Sequence, residues 1–116
     1  MTLYEVQALL HATIFYGPPE LMQQQVQNAC GSDLMSDVLA YVKDQSLLLT
    51  GLVNPQVIRT AQMMDFLCVV FVRGKQPDEE MLRLARQCSI VLLGTEHRMF
   101  TACGTLFQSG LEGGSR

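Results

Sequence analysis

Three short runs, 46–50 (SLLLT), 66–72 (FLCVVFV) and 89–93 (SIVLL), are apolar at almost every position, and each leads into a turn and then a helix-spaced apolar stripe. A run with no polar alternation has no face to offer water, so it reads as a strand covered on both sides. Strand, helix, strand in series joins parallel strands through right-handed crossovers. The expected fold class is α/β, a three-layer α/β/α sandwich on a mostly parallel sheet.

The helices carry start signals. Asn54 and Pro55 form a cap and first-turn pair, because proline has no amide to leave unbonded there, and Val57, Ile58, Ala61 and Met64 follow as the apolar face. Asp78 opens a helix to Cys88 whose core face is Met81, Leu82, Leu84, Ala85 and Cys88, with acids in its first turn and Arg83 and Arg86 nearer its end, an order the helix dipole favours. Ser32 and Asp33 can cap a helix that buries Leu34, Met35, Val38, Leu39 and Val42. Thr95 is expected to cap the last helix, with Met99, Phe100, Cys103, Leu106 and Phe107 inward.

Upstream, Thr2 and Glu5 have the spacing of a capping box before a helix over 2–11 that turns Leu3, Val6, Leu9 and Leu10 to one face. A strand is expected over 12–16, cut by Gly17, Pro18 and Pro19, and an edge strand over 23–30. Residues 1–111 thus read as one domain and 112–116 as a disordered tail.

Composition excludes several roles. Eight Lys and Arg against eleven Asp and Glu give a net charge of −3, no field for a polyanion, so no nucleic acid is expected. No apolar run approaches the roughly 20 residues of a membrane span, and the N-terminus has no secretory pattern, so no membrane and a cytoplasmic setting are expected. Cys30, Cys68, Cys88 and Cys103 are too scattered for a zinc string and read as buried thiols, so no metal and no cofactor are expected.

Ligands of open parallel sheets bind beyond the carboxyl ends of the strands. That edge would gather Thr50, Gly51, Asn54, Arg73, Gly74, Lys75, Gly94, Thr95, Glu96 and His97, with Ser32 and Asp33 near them. Helix-start amides and two basic side chains make a small anion, such as a nucleotide, the natural ligand. The same residues are also ordinary turn chemistry. "RGKQP" at 73–77 matches neither the P-loop nor the dinucleotide-binding spacing, and no nucleophile elbow is present.

The strings SDLMSDVLAYV, LLLTGLVNPQVIRTAQMMD, VVFVRGKQPDEEMLRLA and IVLLGTEHRMFTACGTLFQSGL, taken in order, resemble the stand-alone DRTGG-domain proteins over nearly the whole chain. The same module is similar to the N-terminal domain of HPr kinase/phosphorylase, to the insert between CBS domains in some regulated pyrophosphatases, and to a middle region of some phosphotransacetylases. The resemblance implies a regulatory or dimerising role without catalysis, and a place beside iron-only hydrogenase and related anaerobic redox systems. It carries over to Thr50, Gly51, Arg59, Thr60, Arg73, Gly74, Lys75 and Thr95, while the Asp-Arg-Thr-Gly-Gly string itself is absent and TGLVNPQVIRT stands at its loop.

The expectation is a non-catalytic regulatory module that binds a small anionic ligand through Thr50, Gly51, Asn54, Arg59, Arg73, Gly74, Lys75, Thr95 and His97. Its 48% hydrophobic content favours a homodimer. One alternative is an adaptor for a protein partner with no ligand pocket. The other is a small phosphate-transfer enzyme using Arg73, Lys75 and His97.

Overall fold

The computed structural model describes residues 1–41 and 46–114. Five strands form one sheet in the order β1-β5-β4-β3-β2, where β1 is Thr13–Tyr16, β2 Ala29–Gly31, β3 Leu47–Thr50, β4 Cys68–Phe71 and β5 Val91–Gly94. β2 to β5 run parallel and β1 joins β5 antiparallel, which makes β2 the expected edge.

The apolar runs behave as their composition requires, since every residue of β3, β4 and β5 is buried. Alternation sends Leu47, Leu49, Val70 and Leu93 into one core and Leu48, Val69, Phe71 and Leu92 into the other. The second core is closed by α3 (Met35–Leu39), α4 (Pro55–Met63) and α5 (Glu79–Cys88), the three crossovers. The first is closed by α1 (Leu3–Leu10), the short α2 (Pro19–Met22) and α6 (Met99–Gln108). The architecture is the expected three-layer sandwich.

Local signals hold at three helix starts. Thr2 and Glu5 close the capping box reciprocally, at 3.2 and 3.0 Å. Asn54 Oδ1 accepts from the Gln56 amide at 2.8 Å, and Asp78 Oδ1 from that of Met81 at 2.9 Å. Exposed neighbouring carboxylates and guanidinia link Arg59 and Arg83 to Glu80.

Other expectations need correction. Pro19 starts a helical turn after extended Pro18 rather than merely ending β1, as a proline at the first helical position can. The edge strand shrinks from 23–30 to three residues, because Gln25 bridges to Thr2 and the Val26 amide donates to the Met1 carbonyl at 2.7 Å. Ser32 and Asp33 do not cap α3. Leu34 is its cap residue, exposed like Leu39, and only Met35 and Val38 of that stripe are buried; Val42 lies outside the described residues. Leu9 also faces outward.

The last helix differs most. Its cap residue is Arg98, with no side-chain cap, while Thr95 is buried below and donates its hydroxyl to the Leu10 carbonyl at 2.8 Å. Phe100 and Phe107, expected inward, are 90% and 73% exposed. Glu112, placed in the tail by the sequence reading, exchanges backbone hydrogen bonds with Gln27 and Ala29 beside β2.

Candidate functional site

The carboxyl ends of β2, β3, β4 and β5 meet where the parallel register places them. β2 leads to Ser32 and Asp33, β3 ends at Thr50 and Gly51, β4 leads to Arg73 and Gly74, and β5 to Thr95 and His97.

Asp33 ties three of these ends together. Its Oδ1 accepts from the Gly51 amide at 2.6 Å and the Thr50 hydroxyl at 3.1 Å, and its Oδ2 lies 3.7 Å from Nη2 of Arg73. A side chain on Gly51 would run into that guanidinium, so the glycine is what lets Arg73 lie flat across the strand end. Arg73 remains about half exposed, with 47% of its side-chain surface open to water.

The turn after β4 is built from two left-handed residues, Arg73 at φ 59° and Gly74 at φ 71°. It uses its own amides. Arg73 donates to the His97 carbonyl at 2.8 Å, Gly74 to that of Thr95 at 2.9 Å, and Lys75 to that of Val72 at 3.2 Å. The amides of Leu52 and His97 are likewise taken, by the hydroxyls of Thr50 and Thr95. A ligand at this edge would therefore meet side chains, namely Arg73, exposed Lys75 and half-buried His97, rather than an amide nest.

Asn54 serves as a helix cap, and Arg59 joins Glu80 on α5. Thr60 is buried with an unpartnered hydroxyl within α4. The structure thus brings Thr50, Gly51, Arg73, Gly74, Thr95 and His97 to one edge, and adds Asp33 as the anion that already occupies its centre.

A second feature lies where α6 passes β2 and β3. A groove of about 640 Å³ opens between Gly31, Leu49, Met99, Cys103 and Leu111, flanked by the rings of Phe100 and Phe107. Gly31 makes room for it, since a side chain there would strike the sulfurs of Cys103 and Met99, themselves 3.6 Å apart. Burial, and then the neighbouring Cys103, push the Cys30 thiol up to about 12, and burial raises Cys68 and Cys103 as well. The raised pKa disfavours the reactive thiolate at neutral pH, and of the four cysteines expected to be buried only Cys68 is fully so, Cys30, Cys88 and Cys103 being partly exposed. Among the described residues no three His, Cys, Asp or Glu side chains gather as a metal would need.

The groove was the feature the sequence reading missed, yet a signal was there. MFTACGTLFQ contains no charged residue and is apolar on more than one face. The periodic match of Phe100 and Phe107 to the inner face hid that second surface.

This element order and sheet define a three-layer module with a DRTGG-like fold. Among solved structures it is similar to the CBS and DRTGG domains of the regulatory region of Clostridium perfringens pyrophosphatase, crystallised with its activator diadenosine tetraphosphate. The TM-score is 0.74 at 16% identity, over 95% of this chain and 47% of that one, so this chain spans about half the length of that protein fragment. No family model and no curated protein matches the sequence. Among the described residues no helix is long and apolar enough to cross a membrane.

Proposed function

We propose that this chain is a regulatory module that binds without catalysing, and that its ligand is a small anion such as a nucleotide. The ligand site is the strand-end edge of Arg73, Lys75 and His97. The observation that carries the reading is the Asp33 carboxylate, which bridges the ends of β2, β3 and β4 and holds Arg73 across Gly51. A ligand phosphate would compete with that carboxylate for Arg73, because a bidentate guanidinium contact to phosphate is stronger than a 3.7 Å surface pair. Asp33 would keep its hydrogen bonds to Gly51 and Thr50 while losing Arg73, so occupancy would uncouple the β4 end from the β2 and β3 ends, a structural change. The likeness to a regulatory region crystallised with a nucleotide activator supports the choice of ligand class.

The test is thermal unfolding with inorganic phosphate, mononucleotides and dinucleoside polyphosphates, on the wild type, on Arg73→Ala/Lys75→Ala and on Asp33→Asn. A ligand at a hundred times its dissociation constant adds about 2.7 kcal/mol, several degrees in a domain of this size. The shift should vanish in the double variant and grow in Asp33→Asn, where the internal competitor has lost its charge. Equal shifts in all three proteins, or none in any, would end this reading.

A second reading, an adaptor for another protein, is favoured by the groove beside α6 and its two exposed phenylalanines. Retention of partner capture after loss of Phe100 and Phe107 would count against it.

A further inference from the structure

The apolar groove beside α6 and the strand-end edge lie on one face of the sheet, end to end. On β3 the alternation that turns Leu47 and Leu49 toward the α6 side turns Gly51 the same way, and Leu49 lines the groove. The register agrees, because Thr50 pairs with Phe71, which sets Gly51 beside Val72 of the same core. A side chain on Gly51 would strike the Arg73 guanidinium, so that guanidinium lies over the α6 side of the sheet, two residues or about 7 Å past Leu49. β2 makes the same passage. A side chain on Gly31 would strike the sulfurs of Met99 and Cys103 in the groove, and two residues later Asp33 holds Arg73.

Charge is divided along this line. At the strand-end side the Arg73 amide donates to the His97 carbonyl at 2.8 Å, which brings Arg98 and the start of α6 beside the turn. No side chain caps the first amides of that helix, no acid occupies its first turn, and Arg98 has no ion partner among the described residues. Glu112 stands at the opposite end of the groove, past the close of α6. Between the two ends the walls are aliphatic carbon, aromatic ring and sulfur, from Leu49, Met99, Cys103 and Leu106 to Phe107. An anion alone occupies only the first part of this surface, and an uncharged apolar molecule only the second.

We propose that edge and groove form one site, and that its ligand is an anionic amphiphile, a phosphate carrying a single apolar chain. The inference rests on the anion reading of Arg73 and narrows it to a ligand class. The phosphate sits at Arg73, with Arg98 and the α6 amides adding positive potential, and the chain runs along α6 toward Phe107. Glu112 fixes the direction, since its carboxylate repels a phosphate from the far end. The groove's volume of about 640 Å³ falls in the range of small-molecule sites, which are mostly apolar with a few polar groups that orient the ligand. The exposed rings of Phe100 and Phe107 flank it, and a chain lying between them takes part of their surface out of water.

Thermal unfolding of the full chain and the rate of thiol labelling at Cys103, read by mass spectrometry at pH 8, test this, with circular dichroism to confirm folding of the variants. The probe is decyl phosphate kept below its aggregation threshold, beside inorganic phosphate and decanol. Decyl phosphate should raise the midpoint at a concentration at least about tenfold below that of inorganic phosphate, because its methylenes leave water. It should also slow labelling of Cys103, which lines the groove half-exposed, while inorganic phosphate leaves that rate unchanged and decanol at the same concentration does neither. Phe100→Ser/Phe107→Ser changes only exposed side chains, so the response to phosphate should persist while the advantage of decyl phosphate falls. Arg73→Ala/Lys75→Ala should lose both responses. Decyl phosphate acting no better than phosphate overturns the joint site and leaves the anion reading standing, whereas silence toward both compounds ends the two together. An effect that survives Arg73→Ala/Lys75→Ala or that decanol equals overturns the joint site as well. So does a response to phosphatidic acid vesicles alone, which would make the surface a membrane contact.

Discussion

The guanidinium of Arg73 occupies the space that any side chain at Gly51 would need, and the Gly51 amide and Arg73 both turn to the same carboxylate, Asp33. Gly51→Ala should therefore swing Arg73 outward rather than disrupt β3, because the colliding atoms are the far end of a flexible side chain. The Arg73 to Asp33 pair is exposed, so stability should fall by no more than about 1 kcal/mol. Chemical denaturation should show a small loss, while the anion-induced shift of the melting midpoint should change measurably. Unfolding of the variant would mean the strand end has less give than this geometry implies.

Gly74 is constrained differently. Its φ of +71° is left-handed, and a methyl there would also meet the Glu96 carboxylate. Backbone strain should dominate, at about 1–2 kcal/mol for Gly74→Ala. Because Glu96 can move aside, the same loss should appear in a Glu96→Ala background. A loss rescued by Glu96→Ala would assign the cost to collision instead.

Thr95 links the sheet to the first helix. Its hydroxyl donates to the Leu10 carbonyl and accepts from the His97 amide at 3.3 Å. Thr95→Val keeps the shape and strands both groups, so it should cost about 1–3 kcal/mol by denaturation. Thr95→Ser should cost less. Equal effects of the two variants would show that packing, not the hydrogen bonds, matters here.

The thiols make a statement about pH. Burial holds Cys30 and Cys68 protonated in the folded chain well above the ordinary 9.0, Cys30 up to about 12. A pKa raised by folding contributes stability that is complete below the unfolded value and is lost as pH rises through the folded one. Stability should be level with respect to these groups below about pH 9 and decline between about 9 and 12. In the native protein Cys68, fully buried in β4, should resist a thiol reagent at pH 8 until the chain unfolds. Rapid native labelling of Cys68 would contradict its burial.

Much of the fold was legible because the signals are local. Asn54-Pro55 and the Thr2/Glu5 pair act within a single turn and cap their helices as read, while Asp78, read as part of the first turn, caps the helix that begins at Glu79. Where a polar residue had a distant competitor, local reading failed. Asp33 and Thr95 look like caps, but Asp33 is drawn to Thr50, Gly51 and Arg73, and Thr95 to Leu10 across the chain. The edge strand shortened for the same reason, because residues 25 and 26 found partners at the N-terminus.

The amino-acid sequence by itself determined the layer order, since strands apolar at every position can be satisfied only by helices on both faces, and alternation assigns each side chain to its core. Tertiary structure decided what the edges do. Whether the Arg73 turn keeps free amides depended on His97 and Thr95 arriving from the next strand, and they take them. Whether Phe100 and Phe107 are core depended on how far α6 reaches across β2 and β3, and it leaves both rings outside. Periodicity counts apolar faces, but only packing determines which of them the domain itself covers.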